Sequence, residues 1–316
     1  MIKKNILLKD FSNYKIGGPA AYFLEITSEE ELVNGLKEWE NMNLAGLQPP
    51  FVLAAGTNIL IDDKGYSGLI IHNKISGISK NENIVIVGGG VLLSNLLDFC
   101  IENSLSGFEW AGGLPGTIGG AVRGNAGAFG QEIKDSVIQV KSLNFNTLEG
   151  SIKKNSDCEF SYRNSFFKTE KGRDEVITQI TLQLSNGNQN DIENKINEKI
   201  EFRIARHPME YPSIGSTFKN VPFAKLPDNL KEEFKDSIKN DPMPIIPVVK
   251  ILTLAGLKGT VIGEAQISEK HANFIINLGR ASSNDVRSLI KLAKEKVFEK
   301  FGIKIEEEII YLGGEK

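Results

Sequence analysis

The sequence predicts an α+β protein. Segments 137–144, 150–153 and 175–184 are rich in β-branched or alternating residues with turn residues between them, which predicts an antiparallel sheet. Amphipathic patterns on both sides of these segments predict helices. A glycine-rich stretch at 110–130 precedes the sheet and contains a single charged residue, Arg123.

The first part of the chain predicts a small β-α-β arrangement over residues 13–75. A helix between its strands begins with Ser28 and Glu31, the spacing of a capping box. Short apolar runs at 51–55 and 69–72 predict two further strands.

The next segment imitates a dinucleotide-binding fingerprint. A strand at 84–87 is followed by glycines at 88–90 and then by an apolar helical pattern. However, Leu93 stands where the third glycine belongs, and the acid some twenty residues further on, Glu109, lies in a glycine-rich loop. We therefore reject a Rossmann interpretation.

A charged helix is predicted over 191–206, and it ends where His207 precedes a proline, which marks a domain boundary. Residues 222–247 contain several prolines and are predicted to be irregular, with a helix at 229–239. A long helix begins near Ser282, with Asp285 as capping partner, and a glycine follows its last apolar residue.

The end of the chain, 303–316, predicts a final strand. Because side chains alternate along a strand, Glu306 and Glu308 are expected on one face and Glu307 on the other.

Composition limits the possible partners and locations. The formal net charge of −3 gives no global basic field, so nucleic acid is not an expected partner. No window is apolar enough for a membrane span or a signal-peptide core, and the two cysteines are far apart, so we expect a cytoplasmic protein without membrane insertion. The three histidines show no metal-binding spacing, and no metal is expected.

The stretch 110–130 has eight glycines, padded with apolar residues rather than with serine and charge, so it is predicted to be packed. One interpretation is a loop whose bare N–H groups surround the phosphates and ring edge of a large nucleotide cofactor. The other is a tight series of turns within a sheet domain. Residues 56–58, Gly-Thr-Asn after an apolar run, give a second and shorter signal of the first kind.

Two further residues, Arg163 and Ser216, are candidates for a role in binding or catalysis. Arg163 lies among aromatic residues, where a planar guanidinium often binds carboxylate or phosphate; an ion pair with an internal acid is the alternative. Ser216 is not in a nucleophile elbow, and the sequence shows no triad, so a catalytic role for Ser216 need not be that of a nucleophile and could be that of a proton donor.

The motifs together, in this order, resemble one family. They are NYKIGGPA, AAGTNILIDDKGYSGLII, AGGLPGTIGGAVRGNAGAFGQEI, the pair Tyr162-Arg163, YPSIGSTFKN, KHANFIIN and EEEIIYLG. The family is the flavoenzyme UDP-N-acetylenolpyruvoylglucosamine reductase of bacterial peptidoglycan synthesis. The resemblance spans nearly the whole chain and matches the shorter subtype, because no long insertion follows Arg163.

The resemblance implies a two-subdomain FAD-binding fold of the vanillyl-alcohol-oxidase type plus a C-terminal α+β substrate domain. It implies a first FAD-binding subdomain at 1–75, joined by the C-terminal strand 303–316, a second at 76–206 and a substrate-binding domain at 207–302. The implied cofactor-binding residues are Ala55, Gly56, Thr57, Asn58, Gly113, Gly116, Thr117, Gly119, Gly120, Asn125, Ala126 and Gly127.

The implied reaction has two halves. NADPH first reduces FAD, and the enolpyruvyl ether of UDP-N-acetylglucosamine is then reduced to UDP-N-acetylmuramate. Arg163 matches the family residue that stabilises the developing negative charge, and Ser216 matches the proton donor. Glu308 matches the family's C-terminal glutamate and would act in its protonated form; a slip of two residues in this register would select Glu306.

The implied substrate-binding residues are Tyr162, Lys219, Asn220 and His271. The chain departs from the family where His271 replaces a glutamine found in other members, and where Val221 replaces a proline. Two other functions stay open. One is another FAD oxidoreductase of the same fold that acts on a different acid or alcohol, and the other is a nucleotide-sugar binding module without catalytic activity.

Overall fold

The computed structural model describes residues 1–314, which form seven α-helices and twenty-one strands. The chain divides into two compact units, each discontinuous in sequence. Unit 1 contains Met1–Ile6, Ala20–Ala55 and Ser67–Arg203, and unit 2 contains Leu7–Pro19, Gly56–Tyr66 and the chain from Ile204 onward. We assign each element to the unit that holds most of its residues.

Unit 1 contains thirteen strands and four helices. The strands are β1 Lys3–Leu7, β2 Pro19–Ile26, β3 Phe51–Leu53, β5 Tyr66–Asn73, β6 Ile78–Asn81, β7 Ile84–Gly88, β8 Leu105–Ser106, β9 Gly127–Ala128, β10 Gln131–Glu132, β11 Val137–Asn144, β12 Gly150–Lys154, β13 Glu175–Gln183 and β14 Ser185–Asn186. The helices are α1 Glu29–Asn41, α2 Leu93–Glu102, α3 Ile118–Gly124 and α4 Gln189–Arg206.

Two larger sheets organise unit 1. One has the order β1-β2-β5-β3, and the other has the order β12-β11-β13-β7-β6 with antiparallel pairs throughout. Each sheet contributes to its own apolar core, one around Leu24, Ile26 and Leu69 and the other around Val87, Trp110 and Ile180. The predicted antiparallel sheet is therefore confirmed.

Unit 2 contains eight strands and three helices. The strands are β4 Ile59–Ile61, β15 Val221–Pro222, β16 Lys239–Asn240, β17 Pro244–Ile246, β18 Val261–Ile262, β19 Ala265–Ile267, β20 Ile275–Asn277 and β21 Ile310–Leu312, and the helices are α5 Asp228–Phe234, α6 Val248–Leu254 and α7 Ser283–Phe301.

The core of unit 2 joins residues from three parts of the chain. Tyr14 and Leu60 pack in the same apolar cluster as Val286 and Ile309. The Tyr14 hydroxyl donates to the carbonyl of Ile275 at 3.0 Å, and β21 pairs in parallel with β4. Because of this pairing, the C-terminal strand belongs to unit 2 together with residues 56–66. The division into three functional domains stays a prediction.

Two predicted elements are shorter than the sequence suggests. The helix predicted at 229–239 is α5 followed by a 3-10 turn at Lys235–Ser237. The strand predicted at 303–316 is regular only at β21, and Glu315 and Lys316 lie outside the described residues. Within residues 1–314, the pairing of residues 303–309 is limited to one isolated bridge, between Phe218 and Glu307.

Candidate active site

The glycine-rich stretch folds into the short helix α3 and the hairpin β9–β10 in unit 1. The Thr117 hydroxyl caps α3 by accepting from the N–H of Gly120 at 3.1 Å. The N–H groups of Ile118 and Gly119 donate to the carbonyls of Val91 and Gly89, each at 2.9 Å. A Cβ on Gly119 would lie 2.7 Å from the Gly89 oxygen. Packing within unit 1 therefore explains part of the glycine content, as the tight-turn interpretation requires.

Other glycines in the same stretch leave space. A Cβ on Gly120 would meet only ordinary contacts, 3.4 Å from the Thr117 hydroxyl and 3.7 Å from the Ala54 Cβ. At Gly124 a Cβ would have no atom of the described chain within 4 Å. The main chain along this side of α3 is open to a ligand that needs close approach.

Asn125 ends α3 in the left-handed region, at φ 43°, and its side chain is fully buried. Its amide nitrogen donates to the carbonyl of Ser161 at 2.9 Å, whereas its amide oxygen has no hydrogen-bond partner within residues 1–314. Asn125 thus connects α3 to the turn that carries Arg163.

Arg163 lies in a two-residue turn closed by reciprocal backbone hydrogen bonds between Ser161 and Asn164, at 3.1 and 3.0 Å. Its φ is 55°, a conformation that costs a non-glycine residue on the order of 1–3 kcal/mol. Its Nη2 donates to the carbonyl of Gly127 at 2.9 Å, and its guanidinium lies 5.1 Å from the centre of the Tyr162 ring. The Lys168 ammonium donates to the Arg163 carbonyl at 2.8 Å. The orientation of the guanidinium is therefore constrained on several sides.

Ser216 lies in unit 2, on a segment that is paired on two sides. It forms a bridge with Phe274, and the N–H of Thr217 donates to the carbonyl of Asn273 at 2.8 Å. On the other side, the N–H of Glu308 donates to the carbonyl of Thr217 at 2.8 Å. The predicted proton donor and the predicted C-terminal glutamate thus lie on adjacent backbone segments.

The predicted cofactor-binding residues Gly56, Thr57 and Asn58 also belong to unit 2, whereas Ala55 belongs to unit 1. The Asn58 amide donates to the carbonyl of Glu308 at 3.1 Å, and the N–H of Ile310 donates to the carbonyl of Asn58 at 3.0 Å. Hydrogen bonds in unit 2 therefore connect Asn58 and Glu308 to Thr217, the residue that follows Ser216. Arg163, Tyr162 and the residues of the glycine-rich stretch form a second cluster in unit 1.

The three adjacent acids have different surroundings. Glu306 is exposed and pairs with Lys219 and Lys225, at 3.4 and 3.1 Å. Glu307 accepts from the Tyr311 hydroxyl at 2.6 Å and from Lys294 at 2.8 Å. Glu308 is half-buried. Glu307 forms an isolated antiparallel bridge with Phe218, and the expected alternation of faces across the three acids stays a prediction.

His271 packs against the rings of His207 and Phe274, at centroid distances of 5.2 and 4.9 Å. Burial, and then the neighbouring His207, lower the pKa of His271 to about 4, so its ring is neutral near pH 7. Its buried Nδ1 has no hydrogen-bond partner within residues 1–314. The Asn220 side-chain oxygen accepts from the N–H of Val248 at 3.1 Å.

Sequence reasoning missed three residues that support these clusters. Asn273 donates to the carbonyl of Phe218 and accepts from its N–H, both at 2.9 Å, and so fixes the Ser216 segment. Its place in the motif KHANFIIN was the available signal. Lys168 and Lys225 gave no local signal, because their partners are backbone or carboxylate groups that no short pattern specifies.

No group of three or more His, Cys, Asp or Glu residues suited to a metal ion is found within residues 1–314. No helix in the same part of the chain is long and apolar enough to cross a bilayer.

Comparison with known proteins defines the class of protein first. The family model "FAD binding domain" matches residues 20–155, so the chain is a flavoprotein. The model "UDP-N-acetylenolpyruvoylglucosamine reductase, C-terminal domain" matches residues 207–312. The expected α+β architecture with an FAD-binding fold is therefore confirmed.

Similarity to whole proteins identifies the family. A UDP-N-acetylenolpyruvoylglucosamine reductase of Caldicellulosiruptor bescii is 39% identical over 97% of this chain and 89% of its own length. The Prochlorococcus marinus protein of the same name is 36% identical over 99% of this chain and 98% of its own. The crystal structure of the Thermus caldophilus enzyme matches with a TM-score of 0.75 at 26% identity, over 99% and 100% of the two chains. The chain belongs to the UDP-N-acetylenolpyruvoylglucosamine reductase family.

The residues present fit the flavin cofactor of this family. Open main chain beside Gly120 and Gly124 admits a flat ligand without side-chain interference. The buried oxygen of Asn125 is an acceptor that has no donor in the described chain, and such a group normally has a partner.

Proposed function

We propose that this protein is a cytoplasmic, NADPH-dependent flavoenzyme that reduces the enolpyruvyl ether of UDP-N-acetylglucosamine to UDP-N-acetylmuramate. When bound, FAD supplies the hydride that is added to the terminal carbon of the vinyl group. The cofactor-binding residues proposed from the sequence, from Ala55 to Asn58 and from Gly113 to Gly127, would hold it through main-chain contacts.

Arg163 has the role of stabilising negative charge on the substrate carboxylate. Hydride addition gives the substrate an enolate-like dianion, and a cation fixed before the reaction lowers the barrier without reorganisation. Three contacts of Arg163 support such preorganisation. Its Nη2 donates to the Gly127 carbonyl, its guanidinium lies against the Tyr162 ring, and its own carbonyl accepts a hydrogen bond from Lys168. Tyr162 has a further role in binding the substrate.

Ser216 has the role of protonating the carbon next to the carboxylate, and Glu308 supports this step from the adjacent segment. A serine hydroxyl is a weak acid, so its position relative to a strongly basic carbanion must compensate. The observation that carries the proposal is the hydrogen-bonded connection of Thr217, Glu308 and Asn58, which holds the Ser216 segment, the glutamate and a cofactor-binding loop together. Lys219, Asn220 and His271 bind other parts of the substrate.

A stopped-flow experiment that separates the two half-reactions tests this proposal. In the wild-type protein, NADPH should bleach the flavin absorbance and the UDP-enolpyruvyl sugar should restore it. For Ser216→Ala we expect reoxidation by the sugar to slow by about 100-fold or more, with reduction by NADPH nearly unchanged, because only the second half needs the proton. Ser213→Ala, in the same segment, is the matched control.

Two outcomes would contradict the proposal. Equal losses in both half-reactions of Ser216→Ala would indicate that the serine serves binding or folding. Bleaching of the flavin by a simple alcohol or hydroxy acid, with no reoxidation by the enolpyruvyl sugar, would indicate a different FAD oxidoreductase.

A further inference from the structure

Two fully buried side chains fasten the turn that carries Arg163 to the rest of unit 1. The Asn125 amide donates to the carbonyl of Ser161 at 2.9 Å. The Ser165 hydroxyl donates to the carbonyl of Arg123 at 2.8 Å. The residues on both sides of Arg163 are therefore tied to the C-terminal end of α3.

Arg163 has a strained backbone within this turn, at φ 55°. A residue with a side chain persists in this conformation only where its surroundings fix it. The bonds made by Asn125 and Ser165 act on neighbouring residues, so a contact with Arg163 itself is needed to fix its conformation.

Lys168 makes such a contact. It is half-buried, and its ammonium donates to the Arg163 carbonyl at 2.8 Å. Lys168 ends the 3-10 turn Phe166–Lys168, and its own N–H donates to the carbonyl of Ser165 at 3.0 Å, so its backbone has a fixed place beside Arg163. A hydrogen bond from a charged donor is about twice as strong as one between neutral groups. It is therefore strong enough to hold one residue in the left-handed region.

The position of the Arg163 guanidinium depends on this backbone contact. Its Nη2 donates to the Gly127 carbonyl at 2.9 Å, and the guanidinium lies 5.1 Å from the centre of the Tyr162 ring. Because the guanidinium is at the end of a long side chain, a small rotation of the Arg163 backbone would carry it away from both partners. A displacement of about 1 Å at a reacting group can cost about 100-fold in rate.

We propose that Lys168 is a positioning residue for Arg163, and that its hydrogen bond to the Arg163 carbonyl holds the guanidinium where it binds the carboxylate of the substrate. The inference rests on the proposed function for the nature of that carboxylate. It gives a role in substrate recognition to a lysine whose ammonium donates to protein backbone.

Binding of two ligands to the FAD-loaded protein, measured by calorimetry, tests the proposal. UDP-N-acetylmuramate has the carboxylate and UDP-N-acetylglucosamine lacks it. For Lys168→Met we expect about tenfold weaker binding of the first ligand and less than about a twofold change for the second, because only the first needs Arg163. Lys171→Met, which removes an exposed ammonium from the same segment, is the matched control.

The two half-reactions give a second measure. For Lys168→Met we expect reoxidation of the flavin by the enolpyruvyl sugar to slow by about 10- to 100-fold, because a displaced guanidinium no longer stabilises the developing charge. Reduction by NADPH should be nearly unchanged, since that half-reaction does not involve the substrate carboxylate.

Hydrogen exchange of the FAD-loaded protein without substrate tests the hold on the turn by itself. The N–H groups of Ser161 and Asn164 make the reciprocal bonds that close the turn. In Lys168→Met we expect these amides to exchange about tenfold faster, with the amides of β11 and β13 unchanged, because only the turn is loosened.

A lysine analogue distinguishes the ammonium from the packing of the side chain. Aminoethylation of Lys168→Cys restores an ammonium at nearly the same distance from the backbone, whereas Cys100 and Cys158 are buried and stay unreacted in the native protein. We expect the treated variant to bind UDP-N-acetylmuramate within about threefold of the wild type.

Three results would overturn the positioning role. They are equal losses for the two ligands in Lys168→Met, unchanged exchange of Ser161 and Asn164 in that variant, and no recovery after aminoethylation. The proposed function fails separately. A wild-type protein that does not reduce the enolpyruvyl sugar, while Lys168→Met still loosens the turn, would keep the hold on Arg163 and contradict the proposed reaction.

Discussion

Gly56 lies where a larger residue does not fit. Its φ is 63°, and a Cβ there would lie 1.9 Å from the carbonyl oxygen of Phe11. We predict that Gly56→Ala destabilises the protein by about 3 kcal/mol or more, because strain in φ adds to a clash with backbone. The free energy of unfolding from denaturant titration measures this.

Gly256→Ala is the matched control for that experiment. Gly256 also has a positive φ, 74°, in unit 2, but a Cβ there would have no atom of the described chain within 4 Å. We expect this substitution to cost only about 1 kcal/mol. Equal losses of unfolding free energy in the two variants would show that the close approach of the Phe11 carbonyl does not determine which residues are tolerated at position 56.

The lowered pKa of His271 predicts that the stability of the protein depends on pH. Its pKa of about 4 in the folded protein lies below the usual 6.5, so between these values the unfolded chain binds the proton more readily. The contribution of the neutral His271 ring to stability is therefore complete above pH 6.5 and is lost as the pH falls toward 4. We expect the free energy of unfolding of the wild type to fall between pH 7 and pH 5, and His271→Gln to make this fall smaller by about 1–2 kcal/mol. Denaturant titration of both proteins at the two pH values measures the difference. Identical pH slopes in the two proteins would contradict this.

At the scale of elements, α7 is the clearest case in which local sequence determines local structure. The Ser282 hydroxyl accepts from the N–H of Asp285 at 3.1 Å, the Asp285 carboxylate accepts from the N–H of Ser282 at 2.9 Å, and Gly302 ends the helix at φ 66°. We predict that Ser282→Ala lowers the free energy of unfolding by about 1 kcal/mol, because a capping hydrogen bond is lost.

Lys291→Ala, on the exposed side of the same helix, is the control for the cap and should change stability by less than about 0.5 kcal/mol. A Ser282→Ala protein as stable as the wild type would show that packing alone sets the start of α7.

Sequence signals were reliable where the cause was local. The cap of α7 and the antiparallel pairing of β11 with β12 and β13 involve turn and capping residues that are visible in the chain. The strand predicted at 303–316 is too long, because the pattern of residues 303–309 cannot show that they have only a single bridge partner within residues 1–314. The helix predicted at 229–239 likewise ends early, at Phe234.

The candidate site shows the same limit. Resemblance selected Ser216 and Glu308, but their connection through Thr217 depends on backbone pairing between distant segments. The choice between Glu306 and Glu308 could not be made from the register alone. The structure distinguishes their surroundings: Glu306 is exposed with two lysine partners, whereas Glu308 is half-buried and connected to Asn58.

At the scale of the whole molecule, the reactivity of the two cysteines indicates whether unit 1 is folded. Cys100 and Cys158 are buried, and burial raises their pKa values to about 12 and about 11. A thiol reacts as the thiolate, so we predict negligible reaction with a disulfide reagent in the native protein and two rapid equivalents after denaturation. A fast equivalent under native conditions would show that one of these regions opens locally.

The discontinuity of unit 2 has a consequence for biosynthesis. All of unit 1 has been translated once Arg203 is made, whereas the core of unit 2 joins Tyr14 and Leu60 to Ile303, Ile305 and Ile309. During vectorial synthesis on the ribosome, these early apolar residues stay uncovered until the segment 303–309 has emerged from the exit tunnel. Unit 2 can therefore complete its folding only after that segment has been made, and until then the nascent polypeptide most needs protection by chaperones.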